Sequence, residues 1–179
     1  RNIIVSNQAG RSNIITRLEN YGIKIDSKDT KIQKILNEVK DREFSGYSYD
    51  GADASFELLA NRLLGKIPEY LKVKSYNVNV SKSDKILTKA NVVFLIDGKE
   101  ISCDGEGNGP VNALDNAIRS NFKKVEKYYN FFADLKLLDY KVRILNTGTE
   151  ATTRVLIEST DKTGVSWFTV GVSPNIIEA

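Results

Sequence analysis

Histidine is absent from this 179-residue sequence. Histidine is the side chain that most often acts as a general acid or base, and its imidazole is a common zinc ligand. Its absence excludes catalytic dyads and triads that use histidine, and zinc sites with imidazole ligands. Catalysis by carboxylate, lysine or tyrosine remains possible, but we predict no catalytic residue in this chain.

Cysteine, long apolar runs and strips of one charge are also scarce. Cys103 is the single cysteine, which excludes an internal disulfide and is typical of a reducing compartment, so we expect a cytoplasmic protein. No apolar run approaches a membrane span, and no signal peptide is expected. The net charge is only +3, with acidic and basic residues interspersed, so we predict neither a nucleic-acid nor a membrane partner. The carboxylates form no spaced cluster, which predicts no metal site.

The two ends of the sequence indicate part of a longer protein. The chain begins at Arg1 rather than at a methionine, and it ends at Ala179 where a helix is predicted to begin. The length suits one ordinary domain with an appended piece.

Residues 1–66 predict a three-helix linker subdomain, after an extended start at Ile3–Val5. Helical spacing of apolar residues, with N-cap residues before them and glycines after them, marks each helix. Helices of this size bury little apolar surface alone, so we expect them to pack on something else. The signals are Ile14, Ile15 and Leu18 before Gly22; Asp26–Asp29 before Ile32, Ile35, Leu36 and Val39; a break at Ser45–Asp50; and Ala54, Leu58 and Leu59 inside a third helix from about Ala52 to Leu64, ended by Gly65.

Residues 67–179 predict an α+β domain, because the pattern changes to period two after Pro68. Val73 and Ser75 are expected on one face of the first strand, with Tyr76 on the other. Asp97-Gly98 predicts a type I′ hairpin turn. The helix after this hairpin is expected to run to about Tyr129. A second set of strands is predicted at roughly 135–145, 151–159 and 164–171.

The stretch Asp104–Ala113 joins the hairpin to that helix. Its alternating glycines, Gly105, Gly107 and Gly109, predict a strand end and a tight turn, and Pro110 predicts the first turn of a helix. An exposed helix N-terminus can bind an anion. A glycine-rich connection without a ligand is the alternative, since the stretch is neither a P-loop nor a dinucleotide fingerprint.

The second half of the domain repeats the first at a spacing of 64 residues. The order of strands, glycine and proline coincides in the two halves, which predicts two pseudo-repeated βββα units with the last helix truncated. Chance alignment is the alternative. Among the identities are Tyr76 with Tyr140, Val78 with Val142, Thr88 with Thr152, Gly107 with Gly171, and Pro110 with Pro174.

The repeat provides two helix starts that could hold a carboxylate. Small and medium apolar residues accompany them, and the glycine loop carries Glu106 where a phosphate site would have arginine or lysine. This combination favours a small hydrophobic amino acid as ligand. The alternative is that the apolar residues, Val111, Leu137, Tyr140, Ile144 and Ile176, are simply core.

Three motifs resemble the regulatory domain of the isopropylmalate and citramalate synthase family. They are Gly105–Leu114, Leu138–Arg143 and Gly171–Ile177, in the order in which the family has them. The likeness covers essentially the whole chain. Ser6–Asn13 and Gly51–Leu59 look more like the citramalate branch, because isopropylmalate synthases tend to have histidines near the first of these segments.

The resemblance implies a parent enzyme that condenses acetyl-CoA with a 2-oxo acid on a metal-dependent barrel, which this chain lacks. No cofactor is implied for the chain itself; the divalent metal belongs to the barrel. The domain would form a homodimer and bind the end-product amino acid that inhibits the enzyme. That amino acid is isoleucine for the citramalate branch and leucine for the other; a dimerisation module without ligand is the rival reading. The implied effector residues are Asn108, Gly109, Pro110, Val111, Asn112, Leu137, Tyr140, Ile144, Thr153, Pro174 and Ile176.

Overall fold

The structure is a computed structural model that describes residues 10–26, 28–122 and 125–179. The predicted extended segment Ile3–Val5, and the part Ser6–Ala9 of the segment Ser6–Asn13, lie outside the described residues. The chain forms two compact units. We call the part up to Pro68 together with Lys136–Ala179 the composite unit, and Glu69–Leu135 the inserted unit. The described residues confirm the α+β class; the predicted domain boundary after residue 66 stays a prediction.

Three helices open the described chain where the sequence predicts them. They are α1 (Arg11–Asn20), α2 (Thr30–Phe44) and α3 (Asp53–Leu63). Helix α1 is terminated by Gly22, whose φ of 69° is in the left-handed region that glycine adopts without strain. Helix α2 begins after Asp29, whose carboxylate accepts a 2.8 Å hydrogen bond from the Lys31 amide.

These helices share a core that includes Ile14, Ile32 and Val39, each fully buried. The predicted inner face of α3 is partly wrong, because Leu58 is 43% exposed. The buried stripe of α3 follows Phe56, Leu59 and Ala60, which lie three and four residues apart, whereas Leu58 is two residues from Phe56 and points away. Burial of Phe56 therefore fixes the rotation of this helix.

Arg17 joins the three helical segments from inside this core. Its side chain is 5% exposed, and its Nη2 donates to the Tyr49 carbonyl at 2.6 Å and to the Asp53 carboxylate at 2.8 Å. The guanidinium carbon lies 4.4 Å from the centre of the Phe56 ring. One cation thus connects α1, the loop after α2 and the start of α3.

Glu43 lies near this cation, but its own buried carboxylate oxygen, Oε2, accepts no hydrogen bond from a described residue. Burial, helped by the negative charge of Asp50 and opposed by Arg17, raises the pKa of the Glu43 carboxyl to about 7. The folded protein then holds a proton that the unfolded chain releases near the ordinary value of 4.5. Stability should therefore fall as pH rises from about 4.5 to about 7 and level off above that.

Glu43→Gln should remove this loss of stability. After allowance for solvent screening, we expect the variant to gain about 1–2 kcal/mol over the parent chain at pH 8 and little at pH 4.5. Thermal unfolding at both pH values measures the difference, with Glu150→Gln at an exposed site as the matched control. An equal shift at both pH values would show that the effect is not protonation.

The inserted unit is a three-stranded antiparallel sheet with a helix on one face. Its strands are β1 (Lys72–Lys82), β2 (Ile86–Ile96) and β3 (Lys99–Gly107), in that spatial order. Asp97 and Gly98 have φ values of 48° and 78°, which confirms the predicted type I′ turn. A bulge between Val73 and Ser75 pairs Val73 with Phe94 and Ser75 with Val93. The prediction that Val73 and Ser75 share a face is therefore wrong, since the extra residue reverses the alternation.

Two helices follow this sheet, α4 (Pro110–Phe122) and α5 (Glu126–Asp134). The predicted single helix to about Tyr129 is therefore wrong. Phe122, the last residue of α4, is buried with its ring 5.7 Å from the Phe94 ring and 4.0 Å from the Phe132 ring. The core of the unit is closed by this aromatic cluster together with Val92, Ile96, Cys103 and Ala117.

The second sheet consists of β4 (Lys136–Ile144), β5 (Thr153–Thr160) and β6 (Ser166–Ser173), antiparallel in that order. It has a bulge between Leu137 and Asp139, 64 residues after the bulge of β1. This correspondence supports the proposed repeat, which stays an interpretation. Within the composite unit, Val170 packs against the helical core and the Arg154 Nε donates to the Gly46 carbonyl at 2.6 Å.

No helix follows β6 in the part of the chain that the structure describes, so Pro174 does not begin one. A single turn forms there instead: the Asn175 carbonyl accepts from the amides of Glu178 and Ala179, each at 3.0 Å. The Asn175 side chain accepts a further 3.0 Å hydrogen bond from the Ile177 amide. An N-cap is thus present at Asn175, two residues after Ser173, which would cap a helix that begins at Pro174.

Candidate functional site

The glycine stretch provides space for a helix rather than a turn. Gly105 and Gly107 belong to β3, and neither they nor Gly109 has a positive φ. The predicted tight glycine turn is therefore wrong. A Cβ on Gly105 would lie 2.6 Å from the Ala117 Cα and 2.7 Å from the Ala113 carbonyl oxygen, and one on Gly107 would lie 2.6 Å from the Ala113 nitrogen. Helix α4 rests directly on the backbone of these two glycines.

The exposed start of α4 follows as predicted. The Gly109 carbonyl accepts from the Ala113 amide at 2.9 Å, and Pro110 occupies the first helical position. The Asn112 side-chain oxygen accepts a 3.1 Å hydrogen bond from the Asn108 amide, which fixes the two-residue connection. Val111, 42% exposed, stands beside this terminus. The first-turn amides of a helix have no intrahelical partner, so this terminus can accept an anion.

A second group of predicted residues lies on one face of the sheet in the composite unit. Ile144 pairs with Thr153, and Tyr140, four residues before Ile144, pairs with Ile157 on the same face. Leu137 pairs with Ser159, two residues beyond Ile157, which places it on that face as well. We call this surface the β4 face. Tyr140 and Ile144 are 49% and 64% exposed, whereas Thr153 is 8% exposed.

The C-terminal turn closes one end of the β4 face. Thr153 pairs with Ser173, the last residue of β6, so Pro174 and Ile176 follow directly at this end. Gly171 pairs with Val155 on the β4 face, and a Cβ on Gly171 would collide with the Ala179 carbonyl oxygen. The chain therefore folds back over Gly171, as α4 does over Gly107. Both glycines of the proposed repeat serve close backbone approach.

The eleven predicted effector residues thus divide between the units. Leu137, Tyr140, Ile144 and Thr153 share the β4 face, with Pro174 and Ile176 at its end. Asn108–Asn112 form the start of α4 in the inserted unit. Sequence reasoning missed Val155 and Ile157, which belong to the β4 face. The alternation of β5 could have identified them, because both lie an even number of residues from Thr153.

Among the described residues, no group of three or more histidine, cysteine, aspartate or glutamate side chains is placed to hold a metal ion. No helix in the described part of the chain combines the length and the apolar character that crossing a membrane requires.

Comparison with known proteins identifies the family to which these features belong. The model of the LeuA allosteric (dimerisation) domain matches residues 50–179, most of the chain. The chain belongs to the LeuA allosteric (dimerisation) domain family. The resemblance of the three motifs is thereby confirmed, and the description of the family supports a homodimer.

Relatives of this LeuA domain include two (R)-citramalate synthases at high identity. That of Geobacter sulfurreducens is 46% identical over 182 residues, which cover 99% of the chain and 34% of the relative. That of Aquifex aeolicus is 44% identical over 184 residues, which cover 100% of the chain and 34% of the relative. The 2-isopropylmalate synthase of Aquifex aeolicus is 29% identical over 180 residues, which cover 99% of the chain and 31% of the relative. The citramalate branch is favoured, and the chain spans about a third of the length of these curated relatives.

Proposed function

We propose that this chain is the regulatory segment of a citramalate synthase. The observation that carries the proposal is its identity of 44–46% with (R)-citramalate synthases along 99–100% of its length, together with the match to an allosteric domain. The parent enzyme would transfer the acetyl group of acetyl-CoA to pyruvate. Its catalytic barrel, with a divalent metal, would lie elsewhere in the same polypeptide, since the relatives are about three times as long.

The segment itself should be inactive. It has no histidine, and the described residues hold no group of metal ligands. Incubation of the 179-residue chain with acetyl-CoA and pyruvate should release no free thiol above background. Turnover by this chain would contradict the assignment of catalysis to another part of the protein.

The proposed effector is isoleucine, bound as a feedback inhibitor at a homodimer interface. In the composite unit, backbone carbonyls near Pro174 would hold its ammonium and the apolar β4 face its side chain. In the inserted unit, the first-turn amides of α4 are the proposed donors to a carboxylate. Leucine, which differs only in the position of one methyl branch, is the alternative; an apolar pocket distinguishes such isomers by only about 1–3 kcal/mol. Exposed apolar residues along β4, from Leu137 to Ile144, give a surface that association would cover.

Regulation would require the two arrangements of the dimer to differ in affinity for the effector. A ligand with equal affinity for both shifts no equilibrium, however tightly it binds. A coupling of about 1–3 kcal/mol between effector and barrel is the usual range for allosteric enzymes. The β4 face would contribute the differential contacts.

Tyr140→Ala and Ile144→Ala should each weaken isoleucine binding about tenfold or more, because each removes apolar contact area from the β4 face. Isothermal titration of the 179-residue chain with isoleucine, leucine and valine measures the affinities. Val165→Ala is the matched control, since Val165 is an exposed aliphatic residue in the turn before β6. Absence of heat with all three amino acids would contradict the effector proposal.

A purely structural dimerisation module is the second candidate. The exposed apolar surface of β4 and the name of the family favour this candidate as much as they favour the effector proposal. Thermal shift separates the two candidates, because an effector that binds only the folded state raises the unfolding temperature progressively, with the logarithm of its concentration once this exceeds the Kd. An unchanged unfolding temperature in saturating isoleucine would leave dimerisation as the function.

A further inference from the structure

A cavity lies within the composite unit, and none of the eleven predicted effector residues lines it. It has a volume of about 320 Å³ and is enclosed by the last turns of α2, the loop before α3, helix α3 and Val170 of β6. Small-molecule sites begin at about 300 Å³, so this cavity suits a ligand of few atoms. It is the place where the helical segment meets the second sheet.

The lining of the cavity carries a net positive charge. Arg42 and Arg62 line it together with Glu38. Glu38 is already paired with Arg42, whose Nε donates to the carboxylate at 2.6 Å. Arg62 takes part in none of the ion pairs found among the described residues, so the lining carries one uncompensated positive charge. A single carboxylate would balance that charge, and Arg62 can donate two parallel hydrogen bonds to it.

A buried hydroxyl without a partner lies in the same wall. Tyr49 is 1% exposed, and its Oη makes no hydrogen bond of ordinary geometry. Burial raises the pKa of the Tyr49 phenol to about 12, against the opposing charge of Arg42, so the group keeps its proton and can donate. A buried polar group without a partner is unfavourable. An acceptor oxygen in the cavity would relieve that cost once the Tyr49 ring or its neighbours shift, because the hydroxyl oxygen itself has almost no accessible surface.

The lining also contains apolar side chains. Leu58, 43% exposed, projects here with Leu63 and Val170. This location explains why Leu58 lies off the buried stripe of α3. No unpaired carboxylate remains in the lining for an ammonium group, because Glu38 serves Arg42. The chemistry therefore favours a simple anion over an amino-acid zwitterion.

We propose that this cavity binds a small branched aliphatic monocarboxylate, with its carboxylate on Arg62 and Tyr49 and its tail against Leu58, Leu63 and Val170. The site is separate from the proposed effector site and does not depend on it. A bound ligand would link α2, α3 and β6, and would add to the existing 2.9 Å hydrogen bond from the Val170 amide to the Ser55 hydroxyl.

Two probes of matched shape test the charge preference on the 179-residue chain: isovalerate and 3-methylbutylamine. Isovalerate should raise the unfolding temperature and bind with a Kd of about 1 mM or tighter, whereas the amine should do neither. Tyr140→Ala, on the β4 face, should leave isovalerate binding unchanged. Failure of isovalerate to bind at about twenty times that Kd, or its loss in Tyr140→Ala, overturns the proposal.

Two variants of the lining separate binding from structure. Arg62→Gln should weaken isovalerate binding about tenfold, since a charge-assisted hydrogen bond is lost at an exposed residue that makes no ion pair among the described residues. Tyr49→Phe should weaken binding severalfold while leaving the unfolding temperature of the free protein equal or higher, because it removes an unsatisfied hydroxyl. Undiminished binding in Arg62→Gln, or a lowered unfolding temperature in free Tyr49→Phe, contradicts the assignment.

Discussion

Gly105→Ala should destabilise the inserted unit by about 3 kcal/mol, near the upper end of the usual cost of overpacking. The added Cβ would lie 2.6 Å from the Ala117 Cα and 2.7 Å from the Ala113 carbonyl oxygen, both of them helix backbone. Backbone cannot rotate away as a flexible side chain can, so α4 must move off β3 or the strand must bend. The helix packs on β3 more extensively than on β1 or β2, so this contact dominates its position.

Urea unfolding followed by circular dichroism measures the loss, as a midpoint lowered by about 1 M or more. Gly109→Ala is the matched control from the same stretch. No atom lies within 4 Å of a Cβ on Gly109, and its φ is not positive, so this variant should cost only about 0.5 kcal/mol, the small penalty of alanine at a helix N-cap. Equal effects at the two glycines would show that the close approach of α4 does not control stability. Gly107→Ala should also shift the start of α4 and weaken isoleucine binding, since its Cβ would lie 2.5 Å from the Asn112 side-chain oxygen.

Arg17→Met should cost the composite unit about 3 kcal/mol. The change removes a 2.6 Å hydrogen bond to the Tyr49 carbonyl and a 2.8 Å ion pair with Asp53, and it leaves the carbonyl without its donor. Methionine retains much of the apolar packing on Phe56, so the loss reports the polar contacts. Arg17→Lys should be intermediate, because an ammonium cannot present two donors in one plane.

Thermal unfolding of Arg17→Met and Asp53→Ala distinguishes the buried contact from the exposed one. Asp53→Ala leaves the buried Arg17 without its counter-ion but with its hydrogen bond to the Tyr49 carbonyl, and Asp53 itself is 64% exposed, so we expect a smaller cost of about 1–2 kcal/mol. A loss in Asp53→Ala as large as that in Arg17→Met would mean that the ion pair, rather than the carbonyl contact inside the core, holds the helices together.

Local structure in this chain follows from the sequence wherever one residue type has one physical use. Asp29 as an N-cap, Gly22 as a helix terminator and Asp97-Gly98 as a type I′ turn are all confirmed. Each depends on contacts within a few residues, which the sequence displays directly. The boundaries of β4, β5 and β6 follow for the same reason, from alternation and turn residues.

The errors arise where one residue type has two physical uses. Glycine is needed both for positive φ and for close approach, and Gly105 and Gly107 have the second use although their sequence suggested the first. Only the position of α4 in the fold shows which of these two uses a glycine has. The misplaced Val73 has a comparable cause, because a bulge inserts a residue without any change in composition. The β4 face was predicted in part, since alternation identifies which residues share a face but not which faces are covered.

The composite unit is made from two segments that are far apart in the sequence, and this has a consequence for biosynthesis. The contacts that join its helices to its sheet run from Gly46 to Arg154 and from Ser55 to Val170, separations of 108 and 115 residues. The inserted unit is continuous, so a ribosome completes it first. The N-terminal helices then remain partly unpacked until β6 has emerged from the ribosome. Nascent chains stalled before β6 should expose the helical core to chaperones and proteases, although every residue of that core has already been made.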